Sequence, residues 1–287
     1  PRMLERMPRV FALLISPAPA SIILCGASAA LVLIQLLSAR AGGLQISICT
    51  NNGGVRSFAR VVRLEHPSLV LRTASVAAGA GVVTASRGML TSGGDEAEVS
   101  WSRHGEQQCA RLRRSSTGAC MQGATVVSSS YAVTGGLGGL GLRAGDMLSK
   151  HGARRVVLAS RSGRVPAGGT IPLPPVARVV CCDAGCGAGM KCLLEARFGG
   201  VLHAAGESAA CLVAEVAKSS MSRVQSAKAV GAWHLQNGTH GLVLESLLLF
   251  SSVGSGLGNI GQASYAAANG SLDGVSMTRR SGGLVAQ

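Results

Sequence analysis

The 287-residue chain carries 27 Lys and Arg against 13 Asp and Glu, a net charge of +14, so an acidic partner or a phosphorylated ligand is expected. Hydrophobic residues make up 47%, aromatics only 3%, and there are 40 glycines, which implies a core of Ala, Val, Leu and Gly and excludes both a helical bundle and a collagen repeat. The basic residues lie in short scattered groups such as ARLRRSS (110–116), with few aromatics beside them, a pattern that argues against a nucleic-acid reader. The nine cysteines lack disulfide spacing, and the cluster Cys181, Cys182, Cys186 and Cys192 does not follow a paired CxxC pattern. Reduced thiols in an intracellular chain, in cytoplasm or plastid, are therefore expected, with no metal site.

From Val10 to Ser38 the chain has no charged residue, but SPAPAS (16–21) interrupts the run. A buried strand and helix are expected there, with a membrane tether over 10–38 as the alternative. LQISICT (44–50) and EAEVSWS (96–102) read as strands, VRSFARVVRLEH (55–66) reads as a helix, and the small, polar, basic residues 102–124 suit a junction.

The second half has a regular rhythm. YAVTGG (131–136), RRVVLAS (154–160), VARVVCC (176–182), GGVLHAA (199–205) and LVLESLLLFSS (242–252) read as buried strands. GLRAGDMLSKHG (141–152), MSRVQSAKAVGAWHLQ (221–236) and ASYAAANGSLDGVSM (263–277) read as helices. RVPAGGTIPLPPVAR is too proline-rich for one. Alternating apolar strands and helices predict an α/β fold, a Rossmann-like parallel sheet with helices on both faces.

TGGLGGLG (134–141) lies between the first strand and the first helix of that series. Gly136, Gly138 and Gly141 satisfy GxGxxG, while Thr134, Gly135, Gly139 and Gly141 satisfy TGxxxGxG. Glycines there permit a tight turn and bring backbone N–H groups and a helix N-terminus to a pyrophosphate. At the end of the next strand, where an NAD site carries a carboxylate, the chain has Ser160 and Arg161. An Arg there pairs with a 2′-phosphate, so NADPH is the expected cofactor. Asp183 ends the third strand, placed either to bond an adenine amine or to cap the following helix.

Tyr265 and Asn269 share one helix face, Ser252 ends the fifth strand, and Lys228 lies on the preceding helix. Reduction of a carbonyl needs a hydride donor, a proton donor and a group that polarises the C=O. A phenol is a weak acid, with a pKa of about 10, and a nearby ammonium eases its proton release. A serine hydroxyl can bond the oxygen as charge develops.

TGGLGGLG, LASRSG, VLHAAG, AKAVGAWHL, LFSSVGSGLGNIGQASYAAAN and LDG occur in that order across 131–274. The ordered set resembles the ketoreductase domain of type I polyketide and fatty acid synthases, within the short-chain dehydrogenase/reductase superfamily. The resemblance implies Tyr265 as proton donor, Ser252 as carbonyl hydrogen-bonder, Lys228 as the charge that tunes Tyr265, and Asn269 completing the set. Most short-chain reductases carry Lys four residues after Tyr. The exchange to Asn269, with Lys228 supplied from AKAVGAW, is characteristic of the synthase ketoreductases. The resemblance also places His203, Ala204, Ala205 and Gly206 at the cofactor. It implies a smaller, truncated Rossmann-like structural subdomain over 1–124 and a catalytic, NADP-binding subdomain over 125–287, C-terminally incomplete. It further implies a 3-oxoacyl substrate carried on an acyl carrier protein, and neighbouring synthase domains. Residues 207–210 are Glu, Ser, Ala and Ala where one stereochemical class has Leu-Asp-Asp, and Leu257 stands at the Trp position of the other, so neither configuration is assigned. The shortened segments leave an inactive, structural or cofactor-binding domain as the alternative function.

Overall fold

The computed structural model describes residues 9–13, 30–32, 34–35, 45–76, 96–112, 129–165 and 172–286. The chain forms two compact units. The first gathers Pro1–Thr117 with two later segments, Ala209–Met221 and Ser252–Gly270; the second holds Gly118–Ser208, Ser222–Ser251 and Ser271–Gln287. The units therefore interleave along the chain, where a single boundary near residue 124 is expected from the sequence. The cause lies in the cores. Val213, Val216, Met221, Ala263, Ala266 and Ala267 are buried among Ile46, Ile48, Val55, Phe58 and Val62 of the N-terminal region.

The first unit contains a five-stranded sheet in the order β1 (Arg9–Leu13), β2 (Gln45–Cys49), β3 (Val70–Val76), β4 (Glu98–Trp101) and β5 (Gln107–Gln108). The first four strands are parallel and β5 returns antiparallel to β4. Helix α1 (Gly53–Glu65) starts at Asn52, whose Oδ1 accepts the Gly54 and Val55 N–H groups at 2.9 and 3.3 Å, as an N-cap should. Its apolar stripe is buried, and its polar face sets Arg56, Arg60 and Arg63 around the single carboxylate of Glu98. Burial alone would raise the Glu98 carboxyl, but the Arg60 hydrogen bond and the Arg56 and Arg60 charges outweigh it and hold the pKa below its ordinary value.

Residues 10–13 of the uncharged stretch form β1, and Ala30, Leu31 and Ile34 are helical and buried. Residues 14–29, 33 and 36–38 of the proposed membrane tether lie outside the described residues. Among those described, no helix is long and apolar enough to cross a membrane.

The second unit is a five-stranded parallel sheet, α/β as expected. It comprises β6 (Ser130–Thr134), β7 (Arg155–Ser160), β8 (Ala177–Cys181), β9 (Gly200–His203) and β10 (Ser246–Leu249), in spatial order β10-β9-β6-β7-β8. The strand order reverses between β6 and β9, the point where open parallel sheets take their ligands. Helix α2 (Gly139–Lys150) follows β6, and α3 (Gly187–Glu195) follows β8. Helix α3 is not expected from the sequence, because its Gly-rich start hides the buried Met190, Leu193 and Leu194; strand β3 is likewise unexpected. The helix expected over 221–236 is a composite of α4 (Lys218–Gln225), a π-helical turn (Ser226–Val230) and α5 (Gly231–Gly238). Of the proline-rich stretch, 164–165 and 172–176 are non-helical, and 166–171 lie outside the described residues. Helix α6 (Val253–Leu257) is a short turn after β10, and α7 (Ala263–Ser281) is the long C-terminal helix.

Candidate active site

A cleft of about 190 Å³ opens at the β6/β9 switch point of the second unit. Eight expected cofactor residues line it: Gly135, Gly138, Ser160, Arg161, Asp183, Ala204, Ala205 and Gly206. Cys182, Ala184 and Ala227 line it too. Cys182 and Ala184 flank Asp183 directly, and Ala227 precedes Lys228 in AKAVGAWHL. A larger hollow of about 570 Å³ between α3 and α5 is lined by none of the expected cofactor or catalytic residues.

The glycines divide by purpose. Gly135 takes φ +67°, and a Cβ on it would stand 2.5 Å from Ala205 N. Gly136 and Gly141 are equally closed: their Cβ atoms would meet Leu158 Cα at 2.7 Å and Gly135 O at 2.3 Å. These three build the turn and let α2 approach the sheet. Gly138 and Gly139 are different. A Cβ on Gly138 would meet only Gly135 O, at 3.3 Å, and one on Gly139 would meet nothing within 4 Å. Packing leaves open space at Gly139 and a single tight contact at Gly138. They leave space at the N-terminus of α2, which no side chain caps and whose first turn holds no carboxylate. That open, positively polarised end fits a pyrophosphate.

Thr134 and His203 do not line this cleft; they support its floor. Both are buried, and Thr134 Oγ1 lies 2.6 Å from His203 Nδ1. His203 Nε2 lies 2.9 Å from the Lys228 carbonyl. A carbonyl only accepts, so Nε2 carries the proton and Thr134 donates to Nδ1. Burial pushes the His203 pKa down to about 4, assisted by the Lys228 charge and opposed by the backbone bond, so the ring stays neutral.

Arg161 is exposed at the end of β7, with Nη1 3.5 Å from Glu207 Oε2, and Glu207 also pairs with Arg223 at 3.1 Å. Two cations and one carboxylate at the cleft edge leave positive charge for a phosphate. Asp183 Oδ1 accepts the Gly185 N–H at 2.9 Å. The capping alternative fails, since α3 starts after Cys186 with no side-chain cap.

Lys228 sits within the π-helical turn and is 5% exposed. Its ammonium donates to the Phe250 carbonyl at 2.7 Å, just past β10. Burial lowers its pKa to about 8, against the opposing pull of Asp273. A Cβ on Gly206 would stand 2.7 Å from Lys228 Cε, so the glycine of VLHAAG makes room for the lysine stem.

The other three candidates belong to the first unit. Ser252 is the N-cap of α6; its Oγ accepts the Gly254 N–H at 3.2 Å and keeps its own O–H as a donor. Tyr265 is half-buried on the first turn of α7. Asn269 is fully buried one turn on, and its Nδ2 donates to the Tyr265 carbonyl at 2.8 Å. Lys228 thus belongs to the unit that carries the 190 Å³ cleft, and Ser252, Tyr265 and Asn269 to the one built on the N-terminal sheet.

A family model described as KR domain matches residues 129–287. The chain is 33% identical over 204 residues, 67% of its length, to polyketide synthase GfsB of Streptomyces halstedii. It is 36% identical over 165 residues, 54% of its length, to erythronolide synthase EryA2 of Saccharopolyspora erythraea. It spans only 4% and 5% of those two large proteins. In three dimensions it is similar to a solved A1-type ketoreductase, with 28% identity and a TM-score of 0.79 over 90% of this chain and 60% of that one. Solved A-type ketoreductases from a modular polyketide synthase give 27% identity and a TM-score of 0.77 over 90% and 61%. The chain belongs to the KR domain family, the ketoreductase domains of polyketide synthases within the short-chain dehydrogenase/reductase superfamily.

Proposed function

We propose that the chain reduces the β-carbonyl of a 3-oxoacyl thioester to a hydroxyl, with NADPH as cofactor and an acyl carrier protein presenting the substrate. Bound in the cleft, NADPH would supply the hydride to the β-carbon. Gly138, Gly139 and the α2 N-terminus would hold its pyrophosphate, and Arg161 its 2′-phosphate. Ser252 gives a hydrogen bond to the carbonyl oxygen as negative charge builds on it. Tyr265 gives that oxygen its phenolic proton, which completes the alcohol. Lys228 stabilises the phenolate left behind, and water from solvent returns the proton. Val253, Leu257 and Ile260 on the Ser252 loop are 76%, 57% and 58% exposed, an apolar surface suited to an acyl chain. The net charge of +14 suits an acidic carrier protein.

Lys228 carries this reading. A buried ammonium with a depressed pKa is costly to keep, and such groups concentrate where charge is used. The test is to express the chain and follow NADPH consumption with a simple ketone such as trans-1-decalone. Turnover that requires Lys228 and Tyr265 is expected. NADPH binding by folded protein without turnover would reduce the chain to a cofactor-binding domain.

A further inference from the structure

Ser252 and Tyr265 bracket a glycine-rich loop, and three anchors on that loop trace back to the C-terminal part of α1. The Arg60 guanidinium donates to the Ser255 carbonyl. Gly258 takes φ +78°, and a Cβ on it would come within 3.0 Å of Leu64 Cδ1 and 3.2 Å of the Arg60 carbonyl carbon. The Gly261 N–H donates to Glu65 Oε1 at 2.8 Å. The other oxygen of the same carboxylate accepts the Val213 N–H at 2.6 Å, at the start of the 3₁₀ turn Val213–Glu215. The Cys211 N–H closes the arrangement by donating to the Gly261 carbonyl at 2.9 Å.

Glu65 is the last residue of α1. An anion there faces the negative end of the helix dipole, so the helix gains nothing from it. Its two charge-assisted bonds go instead to backbone amides of two separate loops. The two amides meet different oxygens of Glu65, so Gln at this position would offer an oxygen to one and turn an NH₂ donor toward the other.

We propose that Glu65 is a positioning residue for the reduction: it fixes the turn that leads into Tyr265 and ties it to the 212–215 turn, so that the phenol starts from a set place relative to Ser252. Glu65 itself touches neither substrate nor cofactor. The proposal rests on the reductase reading.

The test uses Glu65→Gln, with Arg63→Gln as control. Arg63 lies on the same helix but bonds Glu98 and Leu71 O rather than the loop. Amide hydrogen exchange at 258–262 and at Val213 is the first readout. The second is kcat per NADPH-binding site, with the primary isotope effect from NADPH deuterated at the transferred position. Glu65→Gln should speed exchange at those amides about tenfold, the loss of one charge-assisted bond. It should lower kcat by about tenfold and enlarge the isotope effect, with KM for NADPH unchanged. Arg63→Gln should match the wild type. A merely structural role would change the number of cofactor-binding sites and leave the isotope effect alone. Glu65→Asp keeps the charge, shortens the reach and should enlarge the isotope effect too. Unchanged exchange in Glu65→Gln, or unchanged kcat and isotope effect in both variants, overturns the proposal. A wild type that binds NADPH but reduces no ketone defeats the reductase reading instead; exchange then decides whether Glu65 anchors the loop.

Discussion

Under the proposed function, the two units contribute to the reduction through different physics. The second unit works through backbone: glycines, strand ends and a helix N-terminus shape a cleft, and His203 stays neutral beneath it. The first unit works through side chains held by other side chains: Ser252 and Tyr265 stand on segments gripped by Arg60 and Glu65. Shape recognition of a large cofactor tolerates a site made of main chain, whereas proton delivery needs individual groups fixed in place. The N-terminal region therefore holds the loop that carries Ser252 and leads into Tyr265, although it contains none of the proposed catalytic residues.

Variants can break or sharpen this division. Tyr265→Phe should lower kcat by about 10²–10⁴-fold and leave the NADPH dissociation constant unchanged, checked by steady-state kinetics alongside cofactor fluorescence. A matching loss of NADPH binding would erase the division.

Lys228→Met is the next largest, expected to lower kcat about 10²-fold. The pKa of about 8 lies below the reference value of 10.5. The wild type should therefore lose turnover as pH rises through about 8, and this limb should be absent in the residual activity of Lys228→Met. Between about pH 8 and 10.5 the unfolded chain holds the proton that the folded chain has lost. Wild-type stability relative to Lys228→Met should then rise over that window, toward about 3 kcal/mol. Activity and stability moving in opposite directions, followed by denaturant melts across pH, is the signature sought.

Within the cleft, Gly139→Ala should weaken NADPH about tenfold while the melting temperature holds or rises slightly, since Ala favours a helix by about 0.5–1 kcal/mol. Gly135→Ala should instead cost about 1–3 kcal/mol in denaturant melts, because its φ is positive and its space is taken. If both behave alike, the assignment of Gly139 to ligand space is wrong.

The smallest effect is at the rim. Arg161→Ala should reduce the preference for NADPH over NADH by about tenfold. Glu207→Gln should tighten NADPH a fewfold, because the carboxylate competes with a phosphate for Arg161. Titration with both cofactors checks the pair.

Much of the second unit is legible in the sequence, because each strand end there carries its own signature. The β6 glycines, the Arg161 position and the VLHAAG turn can be read locally. Asp183 was legible as a cleft residue but not in its Asx turn, since that depends on backbone angles. His203 and Thr134 lie within motifs that imply cofactor contact, yet they bond each other below the surface. The first unit hides more. Its core takes Val213, Met221 and Ala266 from segments far along the chain, and no periodicity reveals such partners. Glu65 is equally silent: its carboxylate bonds residues 148 and 196 positions away.

The π-helical turn at Ser226–Val230 has a consequence for chain length. Such a turn holds one residue more than regular α geometry needs. Losing Ser226 or Ala227 would let the segment relax into ordinary helix, the usual mild outcome on a helix surface. Here it would rotate Lys228 by about 100° relative to the preceding helix, and its ammonium would no longer reach the Phe250 carbonyl. The deletion most forgiving for folding would thus be among the least forgiving for turnover, and natural length variation should avoid these two residues.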